Sequence, residues 1–203
     1  MSRRVLDVTT LERHAFTSRD PLWWSMMLMI AIEGTMLALF LVSYGYVASR
    51  VNPFPPEPIH RDTAWIATAE VVLWLVSCVA QRRTSVAAVA GDLPRMRRNL
   101  IIATLLSTAA VVVRVCLMKA LPFRWDAHAY GSMVWGLLAV QFTHGATSAG
   151  EDLVYVVLLV KGPVENKHRS DIEVSAPLIY FTAIGALVLW ALLFAPVLFG
   201  AVA

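Results

Sequence analysis

Long apolar stretches alternate with short polar ones along this chain. They predict five helices, at roughly 22–48, 64–81, 100–121, 131–160 and 177–200. Each is close to the length needed to cross a hydrocarbon core of about 30 Å. The breaks have their own chemistry. Asn52-Pro53-Phe54-Pro55-Pro56-Glu57-Pro58 cannot be helical and predicts an extended, polyproline-like loop. An arginine-rich segment from Arg82 to Asn99 separates the second and third runs, Lys119–His128 the third and fourth, and Lys161–Val174 the fourth and fifth.

The composition agrees with this pattern. Of 203 residues 58% are hydrophobic, and the mean hydropathy is +0.65, so the natural solvent is the bilayer. The predicted fold class is all-α: a polytopic integral membrane protein, one domain over residues 1–203. Residues 1–21 form a polar tail without the apolar core of a signal peptide, so no cleaved leader is expected. Lys and Arg outside the spans divide unevenly, twelve on the side of the amino terminus and four on the other. The positive-inside rule then puts the amino terminus in the cytoplasm and the carboxyl terminus outside. Trp23, Trp24 and Trp125 fall at span ends, where interfacial anchors belong. Cys78 and Cys116 lie near the ends of the second and third spans, ends that should face opposite sides of the membrane, which argues against a disulfide; both are expected to be small core residues.

Charges inside the spans are the sequence's unusual feature, because a charged side chain at the bilayer centre costs about 2.5–3.5 kcal/mol on insertion scales. Glu33 lies roughly 16 Å into its helix, close to the midplane. Its expected partner is His144, near the middle of the fourth span. Two other readings stay open: a protonated Glu33 bonded to a backbone carbonyl, or a proton-transfer role. Gly34 and Ala38 follow Glu33 as a small-xxx-small pair that permits close helix approach. Around His144, the residues Gln141, Ser148, Glu151 and Tyr155 recur at steps of three and four, one polar stripe that should face protein or a wet cavity. Glu70 and Arg114 each lie about 10 Å inside the outer ends of consecutive antiparallel helices. That equal depth predicts an ion pair; the alternative has Arg114 snorkelling outward and Glu70 facing another subunit.

Several chemistries find no ligands here. A transmembrane haem needs axial ligands such as histidines on facing helices, and only His144 lies well inside a span. No Cys/His cluster has metal spacing, no serine or cysteine nucleophile stands with a base, and nothing points to nucleic acid. Internal repeats and broken half-helices of a transporter are missing as well. No catalytic, cofactor or metal site is therefore expected in this chain.

The stretch Trp23 to Pro58 resembles the glutamate-bearing helix of cytochrome c oxidase subunit III: a Trp-rich start, a central glutamate at Glu33, then Pro55-Pro56. Tyr130-Gly131-Ser132 and His144-Gly145 are similar to that family's Tyr-Gly-Ser and His-Gly segments, in the same order. Five spans match its short bacterial form. The family's second histidine is replaced by Thr147, and the last helix keeps Tyr180 and Phe181 without the usual His and Asp. The resemblance is specific in the first and fourth helices.

It implies a non-catalytic subunit in a bacterial cytoplasmic membrane. Haem and copper would sit in a partner, oxidase subunit I, which links the chain to subunit II. Structural phospholipids would fill a cleft between helices, and the subunit would sustain stability, proton uptake and turnover in aerobic respiration. Related readings are the accessory protein of nitric oxide reductases and subunit III of a quinol oxidase. A small independent transporter or channel using the Glu33/His144 stripe is the reading from a different class.

Overall fold

Capping side chains set where the helices begin. Asp20 accepts from the Leu22 amide at 2.9 Å, with Pro21 in the first turn. Asp92 does the same for the Arg95 amide at 3.1 Å, and the His128 ring for the Gly131 amide at 2.8 Å. These contacts satisfy amide groups that have no partner within the helix. The computed structural model describes residues 20–162 and 168–200, which are helical apart from short connections. The elements are α1 (Pro21–Arg50), α2 (Arg61–Ala90), α3 (Leu93–Lys119), α4 (Ala129–Lys161) and α5 (His168–Leu189). The last runs through a π-helical turn (Trp190–Phe194) into the short α6 (Ala195–Leu198). Pro196 comes two residues after that turn; a proline cannot donate to the helix ladder, and the wider turn accommodates the break. The expected amino-terminal tail lies almost wholly outside the described residues.

Among the described residues four helices are long and apolar enough to cross a membrane: α1, α2, α3 and the 172–198 stretch. α4 is longer than any of these at 33 residues, but Gln141, His144, Ser148 and Asp152 on its buried face lower its hydropathy. It packs in the same bundle, between α3, α5 and α1.

Contacts between elements define the topology. α2 packs on α3, α3 on α4, α4 on α5 and α5 on α2, which closes a four-helix ring. α1 meets only α4 and α5 among the described helices and lies outside the ring. Two apolar clusters cap the ring. One joins Ala87, Ala88, Met96, Leu100, Leu159 and Ile172, and the other joins Leu117, Phe123, Tyr130, Val134, Leu193 and Phe194. Consecutive helices therefore alternate in direction.

Several boundaries differ from the sequence reading. The segment 82–99 is not a loop: α2 continues to Ala90, and α3 starts at Leu93 after a tight turn at Gly91, whose φ is 74°. Arg82 and Arg83 end the apolar run, but Thr84, Ala87 and Ala88 keep the helical spacing and stay buried. Hydropathy stops there, while packing does not. α5 likewise begins before its expected start at 177 and carries Pro177 within it. The proline segment after α1 makes a series of bends rather than an extended run.

Close helix approach also falls elsewhere than Gly34 and Ala38. Ala38 is exposed, and a Cβ on Gly34 would stand 3.7 Å from Phe181, an ordinary contact. The tight point between α1 and α4 is Gly136, where a Cβ would come within 2.8 Å of the Phe40 ring. Cys116 is exposed rather than in the core.

Gly131, in the first turn of α4, is more constrained. A Cβ there would lie 2.8 Å from the Arg124 backbone carbonyl, which cannot swing away as a side chain can. Gly131→Ala should cost about 1–3 kcal/mol, measured as a lower midpoint of unfolding in mixed detergent micelles. An unchanged midpoint would mean that the 120–128 connection yields freely.

Candidate functional site

Glu70 sits nine residues into α2, and Arg114 five residues before the end of α3. The antiparallel packing of the two helices brings these depths level. Arg114 donates to one Glu70 carboxylate oxygen through Nε at 2.9 Å and through Nη2 at 2.8 Å. Trp74, one turn along α2, donates its indole N–H to the same oxygen at 3.2 Å. The two charged side chains are only 2% and 4% exposed, so Arg114 does not snorkel outward. Ala67, Ala186, Leu189, Trp190 and Phe194 surround the pair and leave no room for a water molecule. The π turn supplies Trp190, which is itself held by a 2.9 Å bond to the Thr68 hydroxyl. This is a dry ion pair, closed by α5.

The second couple joins α1 to the ring. His144 Nε2 lies 2.8 Å from Glu33 Oε2, although 111 residues separate them. The Phe181 ring packs at 5.2 Å from the imidazole. His144 is buried, with no hydrogen-bond partner at Nδ1 among the described residues. Glu33 is different: its side chain is 32% exposed, because α1 lies outside the ring. The pair opens onto a cavity of about 320 Å³ between α1 and α4, which Met29, Met36, Thr143 and Thr147 also line. Glu33 therefore occupies a seam rather than the bundle interior. Thr147, where the resembled family has its second histidine, borders the same cavity.

The polar stripe on α4 is shifted from the one expected. Gln141 is buried and donates to the Thr182 carbonyl at 2.6 Å, and Ser148 lies 3.4 Å from the Thr182 hydroxyl. Below Ser148 the buried position is Asp152, not Glu151. Glu151 is half-buried and accepts from the Tyr155 hydroxyl at 3.4 Å. The spacing 141, 145, 148, 152 follows the true helical period, whereas 151 drifts to the flank. Gly145 lies on the buried face because its missing side chain admits Trp74, whose ring is 2.9 Å from where a Cβ would stand.

Asp152 was not legible as a site residue in the sequence, although its four-residue step from Ser148 was the available signal. It is fully buried, and neither carboxylate oxygen has a hydrogen-bond partner among the described residues. Ser175 lies beside it, but that hydroxyl donates to the Ile172 carbonyl at 3.1 Å and accepts from Gln81 Nε2 at 2.7 Å. Ser77 Oγ and Gln81 Oε1 are also unpartnered. The ring thus has a polar interior at the level of Ser77, Gln81 and Asp152.

Among the described residues no group of three His, Cys, Asp or Glu could hold a metal ion. The geometry supports buried charge pairing and helix docking. The end of the bundle where α1 stops and α4 starts is built by aromatic packing: Tyr130 lies 5.4 Å from Phe54 and 6.1 Å from Tyr44, and Pro55 lines the adjoining cavity. Compared with known proteins, the chain matches no family model, and no curated protein matches it significantly.

Proposed function

We propose that this protein is a non-catalytic subunit of a haem-copper respiratory oxidase, of the subunit III type, in a bacterial cytoplasmic membrane. One observation carries the reading. Glu33 and His144, the residues on which the resemblance to subunit III is most specific, are hydrogen-bonded across α1 and α4. Pro55 and Tyr130, from the flanking motif segments, line one cavity where α1 ends and α4 begins. In this reading haem and copper belong to the partner subunit I, and this chain stabilises that partner during turnover. The exposed apolar residues of α1, including Leu28, Ile32, Leu39 and Val42, offer surface for a partner or for lipid.

The test is extraction of a tagged copy in mild detergent, with a visible spectrum of what it retains. A haem-bearing partner is expected, and the subunit purified alone should show no haem absorbance. A strain lacking the protein should still assemble the oxidase haems but lose activity during catalysis. A reporter fused after Ala203 should read as external and one inserted at Gly91 as cytoplasmic. If no haem protein co-purifies, the oxidase reading fails. The unpartnered polar interior around Gln81 and Asp152 then favours an independent transporter.

A further inference from the structure

The continuous helices α2 and α3 place five arginines on regular helix faces rather than on a loop. Four of them, Arg82, Arg83, Arg95 and Arg98, line a groove of about 560 Å³ on the outer side of the α2–α3 hairpin. The turn at Gly91 fixes the two helices side by side: the Asp92 amide donates to the Ala87 carbonyl at 3.0 Å. Asp92 also pairs with Arg95 at 3.1 Å and is the one carboxylate lining the groove. No ion pair involves Arg82, Arg83 or Arg98 among the described residues. Arg82 additionally lies near the Tyr180 hydroxyl. Among its described lining residues the groove therefore carries an excess of positive charge.

Its depth matters as much as its charge. The apolar run of α2 ends at Gln81 and that of α3 begins at Leu100, so Arg82, Arg83 and Arg98 stand at the edge of the hydrocarbon, at headgroup level. Arg95 is roughly 5 Å farther out. Directly inward on the same face of α2 run Val79, Val76, Leu75 and Val72, all exposed at 44–52%. Steps of three and four align them with Arg82 and Arg83. Exposed Ile101, Ile102 and Leu105 continue α3 inward. A cationic pocket above an unbroken apolar strip has the form of one amphiphile, with anion outward and chains inward.

We infer that this groove is a binding site for an anionic phospholipid: the arginines hold its phosphodiester, and its acyl chains lie along the Val72–Val79 strip. A zwitterionic lipid would bring a cation into a groove that already has an excess of them. A free phosphate would leave the apolar strip unused. The site is distinct from the α1–α4 cavity, and it depends on membrane embedding but not on any oxidase partner.

The experiment uses the full chain in neutral detergent. Phosphatidylglycerol or phosphatidylcholine is added, and retained lipid is counted by native mass spectrometry. Phosphatidylglycerol should remain bound and phosphatidylcholine should not. Arg83→Gln/Arg98→Gln should reduce retained phosphatidylglycerol at least fivefold. The charge-matched control Arg97→Gln/Lys161→Gln, away from the groove, should change it less than twofold. Melting without added lipid checks that both variants fold. Equal loss in the two variants would reduce the effect to general surface charge and overturn the site. Equal retention of phosphatidylcholine, or full displacement by millimolar inorganic phosphate, would overturn the assignment to an anionic lipid.

Discussion

Arg114→Met alone should destabilise the protein by about 3–5 kcal/mol, and Glu70→Gln alone by a similar amount, because each leaves one buried charge without its partner. The double replacement Glu70→Gln/Arg114→Met should lie close to the unaltered protein. It removes both charges and keeps an acceptor for the Trp74 indole, which now donates to Glu70 at 3.2 Å. The dryness of the pair makes the singles costly: with no room for water beside it, neither charge can be rehydrated in place. Unfolding midpoints in mixed micelles, assembled into a double-mutant cycle, give the coupling directly. If all three variants unfold alike, water reaches the site and the pair contributes no coupling.

The second large effect is expected at the α1 seam. Glu33→Leu should cost about 1–3 kcal/mol, since it strips a buried imidazole nitrogen of its partner. Glu33→Gln retains a hydrogen-bonding group in the same place and should cost clearly less. The loss should take the form of α1 detaching from the ring rather than the ring opening, because among the described helices α1 contacts only α4 and α5. Limited proteolysis of the 51–60 connection in detergent reports that detachment. Faster cleavage is expected for Glu33→Leu, and cleavage at the rate of the unaltered protein would show that apolar contacts such as Met26 with Leu178 hold α1 by themselves.

Much of this architecture was legible before any coordinates. A residue that costs free energy in hydrocarbon needs a partner, and depth along a helix is arithmetic at 1.5 Å per residue. That is why Glu70 with Arg114 and Glu33 with His144 could be matched from position alone. Helix ends were less legible. Arg82 and Arg83 look like the limit of a span, but hydropathy measures transfer into lipid, while the helix ends where backbone hydrogen bonding and packing end, at Gly91. The arginine groove was hidden for the same reason. Five arginines in a presumed loop have no common face; on two helices joined by a tight turn, four of them do.

Chain-local periodicity and solvation cost were enough to give the helical class, the number of helices and the positions of Glu33, Glu70, Arg114 and His144 along them. Tertiary structure alone decided which neighbours close the ring. It set α1 outside that ring, so Glu33 is paired yet a third exposed, and it buried Asp152 in place of Glu151. The physical reason is that burial depends on a helix's rotation against its neighbours. Rotation is fixed by the fit of particular surfaces, such as Trp74 against Gly145 and Phe40 against Gly136, between residues far apart in the chain.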